Sequence, residues 1–296
     1  MPSFSSPRVV CRPALPSDAA DVLEFTKFIW DGHDYIKYVW RDWLADPDGL
    51  LVVAQFGSHA VGLGKITLLA PGQWWLEGVR VDPNYQGLKI GSHIMEYMDE
   101  WLLKNGHGDV RYMTSSERFQ MHHLGGRLGY TKLGEVRSHK APVLKQDSGS
   151  FALVTADQVA TAVQFTSLHL SHSSGLMDSG WKFSVPDGAT LDDRARQKKL
   201  FWWHGRDGLF TYWEDDEDGE KTLGIGFAAC KVKVLADMLM DIRRLANTLG
   251  FTSVIWLAPV KDEVETALKK AGFTTDWDTT GFLYEKGRSE RRNQRG

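Results

Sequence analysis

One series of sequence landmarks occurs twice in this chain, and the repeat limits the folds available to it more than any other feature. The landmarks are a strand followed by a polar helix cap, a helix that stops at a glycine, and a short helix that runs into glycine and an aromatic residue. The paired positions are Asp18 and Asp157, Gly106 and Gly250, and Gly129 and Gly272, at offsets of 139, 144 and 143 residues. Three landmarks with nearly one offset predict two copies of one architecture.

The boundary between the copies is expected in residues 144–150, a polar segment whose Gly and Ser content is typical of linkers. Residues 1–146 and 147–296 then form two domains of about 150 residues, a usual domain size. The last ten or so residues are charged and lack periodicity, so we expect them to be disordered.

Each copy alternates strand-like and helix-like segments. In the first copy, a hairpin around Gly57 and a further strand precede a helix predicted from Ile90 to Asn105. The apolar residues that share one face of this helix are Ile90, Ile94, Met95, Met98, Trp101 and Leu102. Such a stripe indicates a helix packed on a sheet. The second copy repeats the order, so both are predicted to be α/β.

Composition excludes several classes of partner. The chain has 35 Lys and Arg residues against 38 Asp and Glu, a net charge of −3, so it lacks the positive field with which proteins bind nucleic acid or anionic membranes. No apolar run approaches the ~18 residues that span a bilayer. Cys11 and Cys230 are the only cysteines, which rules out a disulfide framework or a cysteine metal cluster. We expect a cytoplasmic protein that acts on a small molecule and holds no metal.

A glycine-containing loop at residues 86–91 carries the sharpest local signal. An apolar strand ends at Val81, the turn Asp82-Pro83 follows, and the loop opens the helix at Ile90. Backbone N–H groups in such a loop and the positive end of the helix dipole point at an anion. The order of strand, loop and helix therefore predicts a phosphate site.

These residues resemble the GCN5-related N-acetyltransferase (GNAT) superfamily, whose signature is V-x-V followed by D-P-x-x-Q/R-x-x-G-x-G/A. Residues 79–83 and 86–91 match it, and Leu-Gly-Tyr at 128–130 is similar to a later L-G-F. Lys89 stands where the superfamily has its first loop glycine; its ammonium either contacts phosphate or faces solvent. Residues 29–49 and 76–83 further resemble the histidine N-acetyltransferase-like group, which also carries a second acetyltransferase-like half.

The resemblance implies two tandem GNAT-like domains, each a mixed, mainly antiparallel sheet flanked by helices, with acetyl-CoA as co-substrate. The strand backbone at Val79, Arg80 and Val81 would pair with the pantetheine arm. The loop residues that would hold the pyrophosphate are Gln86, Gly87, Leu88, Lys89, Ile90, Gly91 and Ser92.

The resemblance also implies a general base at Glu77. This residue lies two positions before Val79, and strand alternation predicts that both side chains share one face. The acceptor amine must be uncharged because an ammonium has no lone pair, and a carboxylate can take its proton directly or through a water. The alternative is a surface or salt-bridged strand glutamate.

Many superfamily members protonate the departing thiolate with a tyrosine, but Gly125 occupies that position here. The candidates to replace it are His122, His123 and Ser116. A thiolate with a free pKa of about 8.5 is also a good enough leaving group to depart with little protonation. Acceptor recognition is usually built on the first helices and the loop between them. Here that segment contains His33, Asp34 and Tyr35; Asp34 could meet a cationic group and Tyr35 could donate to a carboxylate.

The second copy lacks the loop, since the strand that ends at Cys230 runs through Lys231 directly into a helix. We therefore expect a degenerate partner domain and assign the chemistry to the first copy. The predicted function is acetyl-CoA-dependent N-acetyl transfer to the amine of a small molecule, a free amino acid in the favoured case, by direct attack in a ternary complex. The alternatives are a peptide or protein N-acetyltransferase and a non-catalytic acyl-CoA-binding sensor.

Overall fold

The computed structural model describes residues 8–29, 32–146, 149–170, 175–217 and 219–287. These residues divide into two compact units. The first unit holds the described residues within Met1–Tyr112, Gln120–Thr131 and Glu285–Gly296, and the second unit holds those within Met113–Phe119 and Lys132–Tyr284.

The units do not follow the predicted contiguous boundary at residues 146/147, because three segments change sides. Met113–Phe119 joins the second unit. Residues from Lys132 onward join the second unit, where their strand pairs with a later strand of that unit. Glu285 and Lys286 join the first unit, where they form ion pairs with Arg111 and Asp99. Residues 147 and 148 of the predicted linker, and the terminal residues expected to be disordered, lie outside the described residues.

The elements of the first half of the chain follow the predicted order. They are β1 (Val9–Pro13), α1 (Ala19–Thr26), α2 (Ile36–Ala45), β2 (Leu50–Phe56), β3 (His59–Ala70), β4 (Gln73–Val81), α3 (Ile90–Asn105), β5 (Asp109–Ser115) and α4 (Phe119–Arg127). The long helix has the predicted bounds, and its predicted apolar stripe is buried apart from Trp101, which is partly exposed.

The sheet of the first unit runs β1-β2-β3-β4-β5. Neighbouring strands are antiparallel except for β4 and β5, which pair in parallel from Gln73↔Asp109 to Trp75↔Arg111. Apolar residues of α1 and α2 pack with Leu63 on one face. On the opposite face α3 lies so close that a Cβ at Gly62 or Gly64 would overlap Ile94. This mixed, mainly antiparallel sheet with helices on both faces is the predicted fold.

The rest of the chain, from residue 131 onward, repeats the architecture. Its elements are β6 (Thr131–Pro142), β7 (Phe151–Leu153), α5 (Val159–His169), β8 (Met177–Asp178), β9 (Phe183–Ser184), α6 (Gly188–Arg196), β10 (Leu200–Trp203), β11 (Gly208–Glu217), β12 (Glu220–Cys230), α7 (Leu235–Thr248), β13 (Ser253–Pro259), α8 (Asp262–Lys270), β14 (Thr274–Thr275) and β15 (Gly281–Lys286).

The sheet of the second unit runs β6-β13-β12-β11-β10-β7, with β12 and β13 as its parallel pair. Residues of α7 and α8 pack with Leu223 and Val254 in one core cluster, and residues of α5 pack with Leu209 and Phe227 in another. The second unit is therefore also a mixed, mainly antiparallel sheet flanked by helices, and the predicted fold class is confirmed for both copies.

Candidate active site

Strand β4 contains a bulge at the position that decides where its polar side chains point. Leu63 of β3 pairs with Arg80, and Lys65 pairs with Glu77. Two β4 residues, at positions 78 and 79, therefore oppose the single β3 residue between Leu63 and Lys65. Gly78 has φ +69°, a left-handed value that β-branched and bulky residues avoid. Two residues against one define a β-bulge.

The bulge overturns the predicted shared face of Glu77 and Val79. Lys65 and Leu63 are two residues apart on β3, so their side chains lie on one face, and so do those of their partners Glu77 and Arg80. The conformation leaves room for Trp43 of α2, whose ring would lie 2.5 Å from a Cβ at residue 78. The bulge thus places the predicted base beside a guanidinium and under α2.

The carboxylate of Glu77 is half-buried and accepts a hydrogen bond from the Thr67 hydroxyl, with 2.6 Å between Oγ1 and Oε1. The neighbouring cation, Lys65, is buried on the same face, where its Nζ forms an ion pair with Asp46 and donates to the Ile66 carbonyl at 2.6 Å. The sequence reasoning missed Thr67, because no local pattern marks which strand threonine will face a carboxylate on the next strand.

The predicted acceptor segment lies against the same face. Asp34 is buried; its Oδ2 accepts from Arg80 Nε at 2.8 Å and its Oδ1 from the Ile36 amide at 3.1 Å. The Arg80 guanidinium lies 5.3 Å from the centre of the Tyr35 ring. Burial raises the pKa of the Tyr35 phenol, the positive charge of Arg80 opposes that rise, and the charges of Glu77 and Asp34 add to it.

The structure therefore brings Glu77, Arg80, Asp34 and Tyr35 into one cluster. Asp34 already has a cationic partner within the protein, which differs from its predicted contact with a cationic group of the acceptor. His33 is exposed to solvent next to the cluster in sequence. Two carboxylates and one guanidinium leave the cluster with one net negative charge when all are ionised.

The predicted phosphate loop leaves β4 at Val81 and reaches α3 through backbone that L-residues seldom adopt. Gly87 has φ +84°, and Lys89, the residue before the helix, has φ +56°. Residues 86–89 are exposed. Lys89 thus holds the left-handed conformation for which glycine is favoured, so the backbone keeps the path that the glycine of the superfamily would allow.

The first turn of α3 carries the remaining predicted loop residues, Ile90, Gly91 and Ser92. Lys89 caps the helix without a side-chain hydrogen bond. A Cβ placed on Gly91 would meet only Val81, at 3.9 Å. The first N–H groups of a helix have no partner within the helix, so this end presents donors and a partial positive charge to an anion.

A side chain from β5 fills the position of the missing tyrosine. A Cβ on Gly125 would lie 1.9 Å from the hydroxyl of Tyr112, whose ring packs edge-on against Tyr130 at 5.1 Å. Of the predicted substitutes, His122 and His123 lie on α4, whereas Ser116 belongs to the second unit. Gly125 is therefore required by the packing of a different tyrosine that sequence reasoning did not single out.

The second unit repeats the parallel ladder but not the site. Thr222↔Ser253 to Gly224↔Ile255 corresponds to the three β4–β5 pairs of the first unit, and the position equivalent to Glu77 is then Gly226. Among the described residues between Cys230 and α7, none has a positive φ. Burial raises the pKa of the Cys230 thiol to about 12, so it stays protonated and is not a nucleophile.

The described residues contain neither a group of metal ligands nor a helix of membrane-spanning character. Among the residues that the structure describes, no three His, Cys, Asp or Glu side chains are grouped so that they could hold a metal ion. Within the same ranges no helix has both the length and the apolar character needed to cross a membrane.

Part of the chain is similar in sequence to known acetyltransferases. Residues 18–130 match the sequence model of the "Acetyltransferase (GNAT) family". "Probable N-acetyltransferase 16" of Homo sapiens is 27% identical over 115 residues, 37% of this chain. The match spans 31% of the length of that relative.

Solved structures share the fold across nearly the whole chain. A GCN5-related N-acetyltransferase from Sphaerobacter thermophilus has a TM-score of 0.62 and 13% identity, covering 96% of this chain and 97% of its own. The tandem GNAT protein from the clavulanic acid biosynthesis pathway has a TM-score of 0.58 and 10% identity, covering 95% and 99%. At these identities the likeness concerns the fold.

Proposed function

We propose that the chain is a member of the GNAT superfamily of acetyltransferases and that it transfers the acetyl group of acetyl-CoA to the amine of a small molecule, with a free amino acid as the acceptor class. The observation that carries the proposal is the bulged strand β4. Its half-buried Glu77 lies on the same strand that leads into the exposed loop before α3. The resemblance to the histidine N-acetyltransferase-like group makes histidine the first acceptor to test.

The chemistry is assigned to the first domain, whose predicted bounds are residues 1–146. The second domain is a degenerate copy. The backbone of residues 79–81 and the loop residues 86–92 would hold acetyl-CoA, which supplies the activated acetyl group when bound. Exposed N–H groups at the start of α3 suit its pyrophosphate. The lack of a counterpart of Glu77 and of a left-handed loop between Cys230 and α7 supports the degenerate role of the second copy.

Glu77 is proposed to act as the general base. The acceptor nitrogen forms a bond to the acetyl carbon, the bond from that carbon to sulfur breaks, and the thiolate departs with the electron pair. The proton lost by the nitrogen passes to the Glu77 carboxylate, directly or through a water. One net negative charge in the cluster of Glu77, Arg80, Asp34 and Tyr35 favours the approach of an amine over that of an anion.

Acceptor contacts are proposed for His33 and Tyr35, while Asp34 acts at the same place by holding their segment. Its carboxylate joins Arg80 on β4 to the start of α2, so the segment is tied to the strand that carries Glu77. Removal of one partner from such a buried pair should disturb acceptor binding more than acetyl-CoA binding.

Acetyl-CoA consumption across the free amino acids, small amines and short peptides tests the proposal. We expect turnover with one or more free amino acids, and Glu77→Gln should lower kcat by about 10²- to 10⁴-fold while acetyl-CoA affinity is kept. The matched control is Glu135→Gln, which removes an exposed carboxylate paired with Lys132.

The alternatives give different results in the same assay. Turnover on peptides alone would point to a peptide or protein N-acetyltransferase. Acetyl-CoA binding without turnover on any acceptor would leave the sensor, an outcome that the absence of a tyrosine at Gly125 would explain.

A further inference from the structure

The hydroxyl of Thr67 donates a hydrogen bond to the carboxylate of Glu77, the proposed base. Thr67 lies on β3, next but one to Lys65, the residue that pairs with Glu77, so its side chain points to the same face. The 2.6 Å between Oγ1 and Oε1 falls in the range of charge-assisted O–H···O⁻ bonds.

We propose that Thr67 is a positioning residue that holds Glu77 in the orientation in which it accepts the proton of the acceptor. This inference rests on the proposed function, since it takes Glu77 as the base. The threonine hydroxyl donates to Oε1, and this bond restricts the orientation of the whole Glu77 carboxylate.

Two physical features suit Thr67 to this role. A β-branched side chain has few χ1 rotamers, so the position of its hydroxyl follows from the backbone of β3. A glutamate has three rotatable side-chain bonds, and Glu77 sits directly before a bulge, where the strand is least regular. The backbone of β4 is irregular at Glu77 and therefore limits the conformations of this side chain less. The hydroxyl of Thr67, on the regular neighbouring strand β3, supplies the missing restriction.

Loss of this hydrogen bond would change the position of the Glu77 carboxylate relative to the reacting atoms. Displacement of a catalytic group by about 1 Å can reduce a rate by roughly 100-fold. Thr67→Val keeps the shape of the side chain and removes only the donor. We expect kcat to fall roughly 10- to 100-fold, with the KM for acetyl-CoA unchanged, because Thr67 is not among the residues of the cofactor loop.

The experiment compares wild type, Thr67→Val, Thr67→Ser, Glu77→Gln and the double variant Thr67→Val/Glu77→Gln, with the best free amino acid of the panel as acceptor. Single turnovers with enzyme in excess make slow rates measurable. Thr67→Ser retains the hydroxyl and should restore at least a third of the wild-type rate. Thr131→Val is the control, since it removes an exposed strand hydroxyl that donates to the Glu285 carbonyl.

The double variant decides whether Thr67 acts through Glu77. We expect Thr67→Val to have little further effect when residue 77 is already glutamine. An equal loss in both backgrounds, or no loss from Thr67→Val alone, would overturn the inference while leaving the base assignment intact. A wild-type rate for Glu77→Gln would overturn the base assignment. The absence of turnover on every acceptor would refute the proposed function. Either result would also refute the role of Thr67.

Discussion

Lys286 forms a deeply buried ion pair in the first unit, and its removal has a calculable effect on stability. Its Nζ lies 2.9 and 3.1 Å from the two oxygens of Asp99 on α3. The side chains are 0% and 8% exposed, so water screens neither charge. The ring of Tyr130 lies 5.7 Å from the ammonium. Lys286→Met keeps the length and the apolar stem of the side chain but leaves the Asp99 carboxylate buried without this cation.

We expect Lys286→Met to lower the free energy of unfolding by about 3–5 kcal/mol, the cost of an uncompensated buried charge. The double variant Lys286→Met/Asp99→Asn removes both charges and should recover most of that loss, because replacing a whole buried pair is often neutral. Lys233→Met, at an exposed position, is the control and should change the free energy by less than about 0.5 kcal/mol.

Equilibrium denaturation in guanidinium chloride measures these free energies, and hydrogen exchange of the α3 amides shows whether the loss is local to the first unit. A change below about 1 kcal/mol for Lys286→Met would refute the reasoning, since an uncompensated buried charge should lower the free energy of unfolding by more than that. Equal losses in the single and double variants would also contradict it, because packing and not charge would then be the cause.

Three further predictions concern single positions. Lys89→Gly should raise the free energy of unfolding by about 1 kcal/mol, measured by thermal denaturation, because it relieves a left-handed lysine; a loss of stability would contradict this. Gly125→Ala should destabilise by about 1–3 kcal/mol, and adding Tyr112→Phe, which removes the overlapping hydroxyl, should recover part of it; no recovery would exclude that contact as the cause. Burial raises the pKa of the Asp178 carboxyl to about 7, so the folded protein binds more protons than the unfolded chain and stability falls as pH rises from about 4 to 7. Asp178→Asn should flatten that slope in denaturation series across this range, and an unchanged slope would refute the assignment.

The sequence by itself determined the repeated architecture, the helix from Ile90 to Asn105 and the place of the glycine-containing loop before that helix. Each of these rests on short-range regularities: the spacing of apolar residues along a helix, glycines at its ends, and the order of strand, loop and helix. Such patterns involve only residues that are close together in the sequence, so they can be detected without knowing which segments meet in space. The same reasoning placed Glu77 on the strand before the loop.

Only the tertiary structure decided what surrounds Glu77 and which segments complete each unit. The bulge at Gly78 leaves room for the ring of Trp43, and it turned Arg80, not Val79, to the face of Glu77. Arg80 and Asp34 are 46 residues apart in the chain, and Lys286 and Asp99 are 187 apart. Contacts over such separations depend on how whole elements pack, and a slip of one residue in strand register reverses every side chain. The sequence therefore located the loop and the strand, while packing between distant elements determined the chemistry available beside them.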